Sequence, residues 1–182
     1  MRLLPTSLPT VALALVLSAS ASASASPKRC KTVDANLVSG LFVEGCASPV
    51  GFCTRGTVAS GPLAGSFEFT ALTADQPDPA SPVMFYTGTV VYTTKKGTVT
   101  VRDSGMFNAN NGAFMEVQKV TEGTKNLKGF TGTLTSQGDG IFAVIGGLTQ
   151  LIGFKGSVDG EICPARRHDG RDAKDDVDDD DR

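Results

Sequence analysis

The chain carries one histidine, His168, and it sits in a charged tail near the end. No imidazole is therefore left in the body of the protein to serve a Ser-His-Asp or Cys-His arrangement. H-E-x-x-H is impossible, and neither G-x-S-x-G, a P-loop nor a G-x-G-x-x-G opening a helix is found. The cysteines show no C-x-x-C, which removes the usual redox motif, and no paired C-x₂₋₄-C spacing of the zinc type. The acidic tail lacks EF-hand spacing. No metal and no cofactor is expected. Heptads are missing, as is any helical stripe longer than a turn or two. Charge of one sign is also scarce: the formal net charge is −2, and acids balance bases between residues 27 and 164. A nucleic-acid partner would need clustered Lys and Arg, so none is expected.

What is present is alternation. Between Pro82 and Leu134 the chain reads as four consecutive antiparallel strands. Val83 to Thr94 is rich in Val, Thr, Tyr and Phe, residues that suit a half-buried pleated surface. Lys95-Lys96-Gly97 is a hairpin connection, its glycine free to take positive φ. Val99 and Val101 then oppose Thr98, Thr100 and Arg102, a period of two. Asn108 to Gly112 is a turn. Met115 and Val117 oppose Glu116 and Gln118 in the next run. After Glu122 to Asn126, Phe130, Gly132 and Leu134 share one face. The unit is a β-meander.

Part of this meander resembles a known family. Gly112-Ala113-Phe114-x-Glu116, followed by Thr121, Gly123, Thr124, Gly129, Thr131, Gly132, Thr133 and Leu134, is similar to a pattern of secreted bacterial proteins related to the allene oxide cyclase and dirigent barrels. Tyr92 to Thr98 resembles that family's T-T-K-x-G-T hairpin. The chain departs from the pattern at Glu122, Lys125, Asn126, Leu127 and Phe130, with Lys125 standing where the family tends to have glycine. The resemblance implies a closed antiparallel barrel of about eight strands, often oligomeric. It carries over no catalytic residue.

The rest of the chain fits one exported domain. Residues 1–25 read as a signal peptide: Arg2, an apolar run from Val11 to Leu17 too short to span a bilayer, and alternating Ala and Ser with cleavage after Ala21, Ala23 or Ala25. No stable membrane anchor is expected after cleavage, and the protein is expected to be secreted or periplasmic. Residues 27–164 form the all-β domain. Residues 165–182 form an acidic tail too poor in apolar groups to fold, and disorder is expected there. Four cysteines in an exported chain read as disulfides. Of three possible pairings we favour Cys46–Cys53, closing a short loop, and Cys30–Cys163, tying the domain ends together.

Within the domain, Thr32 to Val43 is the expected first strand, and Ala64 to Leu72 places Phe67, Phe69 and Ala71 on one face. Ala74 to Pro82, with its prolines, is a surface loop. Gly138-Asp139-Gly140 is an expected turn, Gly146-Gly147 a corner, and Thr149 to Cys163 one long closing strand or a bent pair. Carboxylates are the remaining candidates for chemistry: Glu116, Glu68 and Asp103. A small barrel can enclose one ligand, and an acid inside it would have a raised pKa. Glu116 leads because it shares a face with Phe114 and Val120, against the plainer reading of a surface carboxylate. The expected function is a barrel that binds a small lipophilic ligand or a partner without catalysis. The alternatives are an enzyme guiding cyclisation or coupling of a reactive intermediate, and an oligomeric structural protein. Val83 to Thr94 is apolar on both faces, so a homo-oligomer or a covering layer is expected.

Overall fold

The computed structural model describes residues 29–165. Its strands run β1 (Lys31–Phe42), β2 (Cys53–Val58), β3 (Gly65–Asp75), β4 (Val83–Thr94), β5 (Gly97–Asn108), β6 (Phe114–Gly123), β7 (Thr131–Ile145) and β8 (Leu148–Cys163). Each pairs antiparallel with its neighbour and β8 pairs with β1, closing an eight-stranded barrel. Closure leaves no sheet edge around the body of the barrel. The expected signal peptide at residues 1–25 and, apart from Ala165, the expected tail at residues 165–182 lie outside the described residues.

Period-two sorting builds the interior. In β1, Val33, Ala35, Leu37 and Ser39 are buried while Thr32, Asp34, Asn36 and Val38 are exposed. In β5, Val99, Val101 and Asp103 point inward. One end of the barrel is plugged. Leu63 from the β2–β3 connection, Leu127 from a 3₁₀ turn (Lys125–Leu127) and Phe130 pack into the same cluster as Val33, Tyr92, Val99 and Ile162. At this end Cys30–Cys163 joins the entry to β1 to the end of β8, across the strand seam that closes the barrel. Lys125 has φ 49°, so the turn keeps a left-handed residue where the resembling pattern has glycine.

The second favoured pairing, Cys46–Cys53, also forms. Two disulfides suit an oxidising, extracytoplasmic environment. Strand β2 has no clear sequence signal, because Cys53 to Val58 is short and carries Arg55 and Gly56 at its centre. Strand β3 runs on to Asp75 through a register shift between Ala71 and Thr73, taking Ala74 and Asp75 from the expected loop. Gly138-Asp139-Gly140 is not a turn. It lies inside β7, paired with Gly156, Lys155 and Phe154. These glycines serve close packing, since a Cβ at Gly138 would strike the Lys155 carbonyl and the Phe114 ring. The true corner is Gly146-Gly147, both at positive φ as a tight hairpin requires.

Strand β4 turns Tyr86, Val90 and Tyr92 inward and Phe85 and Val91 outward. Phe85 pairs with Met106, and Met106 with Met115, so three apolar side chains form a row across the outer face. They are 47%, 44% and 55% exposed, and Val117 beside them 53%. Among the described residues no second layer covers this row.

Candidate functional site

Above the plug the barrel is hollow. A cavity of about 230 Å³ is lined by inward side chains of every strand and by Val50 and Phe52 from the β1–β2 loop. That loop is tied down at the rim opposite the plug. The Cys46–Cys53 bridge closes it, the Ser48 hydroxyl donates to the Ala71 carbonyl at 2.6 Å, and the Ala71 amide donates to the Phe52 carbonyl at 3.1 Å. These contacts hold the Phe52 ring edge-on against Phe69 and Phe154, with centroids 6.1 Å away in each case. Aromatic pairs at this spacing favour such T-shaped geometry.

The cavity has two unlike walls. The side built by β8, β1, β2 and β3 presents Phe154, Leu37, Phe67, Phe69 and Ala71, with only the hydroxyls of Ser39 and Thr54. The side built by β4, β6 and β7 presents Tyr86, Tyr92, Glu116, Gln118 and Ser136. Register explains how the polar groups meet. Tyr86 pairs with Gly105 and Gly105 with Glu116, so the phenol and the carboxyl flank a residue that has no side chain. A Cβ at Gly105 would lie 2.9 Å from both the Tyr86 hydroxyl and Glu116 Cγ. In the gap the Tyr86 hydroxyl donates to Glu116 Oε1 at 2.6 Å. One row on, Gln118 donates through Nε2 to Glu116 Oε2 at 3.1 Å and accepts at Oε1 from the Tyr92 hydroxyl at 2.7 Å.

In that second row Asp103 stands between Gly88 and Gln118. It is wholly buried, does not reach the cavity surface, and neither of its carboxyl oxygens has a hydrogen-bond partner. Burial, and then the charge of Glu116, push its carboxyl up to about 8 against a smaller opposing pull from the nearby Gln118 amide. Burial also raises Glu116, against the pull of the hydrogen bonds from Tyr86 and Gln118. Tyr86 and Tyr92 are raised too, first by burial and then by Glu116, so both phenols stay protonated as donors. The pair of acids thus retains a proton under conditions where free carboxyls have lost theirs.

Of the three sequence candidates, the fold brings Glu116 and Asp103 together. Glu68 is elsewhere, exposed on the outer face of β3 and opposite Arg55 on β2. Sequence reasoning did not single out Tyr86, Tyr92, Gln118 or Ser136 as site residues. The signal was there in parity, since Phe114, Glu116, Gln118 and Val120 fall on one face. What hid it was the opposite face, where Met115 and Val117 look more like core than Glu and Gln do. Cys30, Glu161 and Cys163 also converge at the plugged end. Both sulfurs there are consumed by the disulfide, leaving no thiolate for a metal.

No family model, no curated protein and no solved structure matches the chain.

Proposed function

We propose that the barrel holds a small lipophilic ligand in its cavity and does not transform it. The observation that carries this reading is the cavity itself: enclosed by strands, walled mostly by aromatic and aliphatic side chains, with a few polar groups gathered on one side. Sites for small molecules have this make-up, apolar surface for affinity and sparse polar groups for orientation. The β1–β2 loop, pinned over the rim, narrows access without sealing it, since Ala74 lines the cavity and is solvent-exposed. The resemblance of Gly112 to Leu134 to the allene oxide cyclase and dirigent barrels agrees with a hollow, ligand-holding barrel.

A neutral, environment-sensitive naphthalene dye such as prodan tests this. The wild-type protein should bind it with a blue-shifted emission and a dissociation constant of roughly 10–100 μM, as expected when about 200–300 Å² of apolar surface is buried. Ala74→Trp, at the exposed mouth, should abolish the signal while leaving the melting temperature in place. Unchanged binding in that variant, or none in the wild type, would reject the cavity as the site.

The second reading is an enzyme that guides cyclisation or coupling of a reactive intermediate. It is favoured by a cavity-facing carboxyl of raised pKa bonded to a phenol, a pair able to move a proton. Turnover, as against retention, of a bound molecule separates the two readings. Self-association is a further part of the proposal, since Phe85, Met106, Met115 and Val117 form an uncovered apolar row on the outside. Light scattering on the mature domain should give at least a dimer, and Met115→Lys should shift it to monomer. A wild-type monomer at high micromolar concentration would end that part of the proposal.

A further inference from the structure

Resting on the ligand-holding reading above, we infer that the cavity is built for a lipophilic amine bound as its ammonium ion. Three features of the site lead there. The first is the charge of the lining: Glu116 is its only ionisable group besides two phenols, and among the described residues no Lys, Arg or His faces the cavity. A fatty acid or other anion would meet a carboxyl with no cation to receive it, a like-charge encounter in a medium of low dielectric. The second is unused acceptor capacity. Glu116 accepts from Tyr86 at Oε1 and from Gln118 at Oε2, and the Ser136 hydroxyl beside it also favours its charged form. An ionised carboxylate offers about four acceptor sites, so donors from a ligand can still be accepted, and an ammonium supplies three.

The third feature is the surrounding π-surface. Phe69 and Tyr86 meet edge-to-face at 5.7 Å, and Phe107 and Phe114 each meet Phe154 at 5.8 and 5.4 Å. All five rings line the cavity together with Glu116. Aromatic faces beside a carboxylate recognise organic cations, the rings contributing through their quadrupoles and the acid through its charge. Asp103 adds to the same balance. It is a second buried acid with both oxygens unpartnered, one cross-strand row from Glu116, and a cation held at Glu116 would lower the energy of negative charge on either carboxyl. The alkyl or aryl remainder of the ligand would lie against Phe67, Phe69 and Leu37 on the apolar wall.

The test uses a matched series that differs only in its head group: octylamine, octanol and octanoate, each competing with prodan on the full mature domain. Octylamine should bind at least tenfold more tightly than octanol, and octanoate more weakly than either. In Glu116→Gln the ratio of octylamine to octanol affinity should fall to about one, whatever the absolute affinities become. Should that variant not fold, the wild-type series alone decides. Equal affinities for octylamine and octanol, or octanoate binding most tightly, would overturn the amine assignment while the lipophilic cavity stands. So would octylamine binding Ala74→Trp as well as wild type, since binding outside the cavity would then explain it. Failure of prodan and all three octyl compounds to bind would overturn both readings together.

Discussion

Replacing Cys30 and Cys163 by alanine should destabilise the domain by about 5 kcal/mol, and lower its melting temperature by roughly 15 °C. The two cysteines are 133 residues apart in the chain, so the bridge removes a large share of the unfolded state's freedom. Its location matters as much as its length. It fastens the first strand to the last at the seam where Lys31 pairs with Ile162, the contact of greatest loop closure in the barrel. Without it, ends more than a hundred residues apart must find each other from the open chain, and the entropy of doing so grows with that length. Replacing Cys46 and Cys53 by alanine offers the internal comparison. Those residues are only 7 apart, and the same chain-entropy argument gives about 2 kcal/mol. Denaturant titrations of the three proteins under non-reducing conditions check the ordering. A short-loop variant as damaged as the long-loop one would show that closure entropy is not what the long bridge supplies.

The second large effect is a loss of stability as pH rises, traceable to Asp103. Its carboxyl moves from an ordinary 3.8 to about 8 on folding. A carboxyl whose pKa rises on folding binds its proton more tightly in the folded state. Between these values the folded protein keeps the proton and the unfolded chain has released it, so stability falls with increasing pH. The contribution is fully present below pH 4, declines through the window from 4 to 8, and levels off above 8. At about 1.4 kcal/mol per pH unit, the decline by pH 7 is on the order of 4 kcal/mol. Asp103→Asn removes the ionisable group while keeping the shape. It should match wild type to within about 1 kcal/mol at pH 4, and be more stable by several kcal/mol at pH 8. Some slope should persist in the variant from Glu116, whose pKa is also raised. Thermal or urea unfolding at pH 4, 6 and 8 measures this directly. Wild-type stability that climbs from pH 4 to pH 8 would mean that Asp103 is charged and partnered in solution.

Retaining so unfavourable a group suits a binding site better than a scaffold. A valine at position 103 would extend the row made by Val99 and Val101, and a carboxyl buried without partners is among the more destabilising things an interior can hold. Deep barrels filled only for stability have no need of Gly88 and Gly105 either. Those glycines open the space in which Phe69 passes over one strand and Tyr86 reaches across another. The polar wall is thus assembled by gaps as much as by side chains.

The chain's own pattern was enough for the strands, the resemblance of Gly112 to Leu134 implied the closed barrel, and neither was enough for its contents. Alternation at Val99–Val101 and at Phe67–Phe69–Ala71 marks strands because a pleated chain sends successive side chains to opposite faces, a local property of the backbone. The hairpin at Lys95-Lys96-Gly97, the corner at Gly146-Gly147 and the pairing of four cysteines were legible for the same local or combinatorial reasons. The short strand Cys53–Val58 and the continuous β7 were not, because their glycines answer to neighbours distant in sequence. Parity also separated Glu116 from Met115, but it could not say which of the two sets faces the interior. Only closure of β8 onto β1 decides that, by giving the sheet an inside. There it turns Glu116 and Gln118 toward Tyr86 and Tyr92, buries Asp103 beside them, and leaves Met115 and Val117 in water.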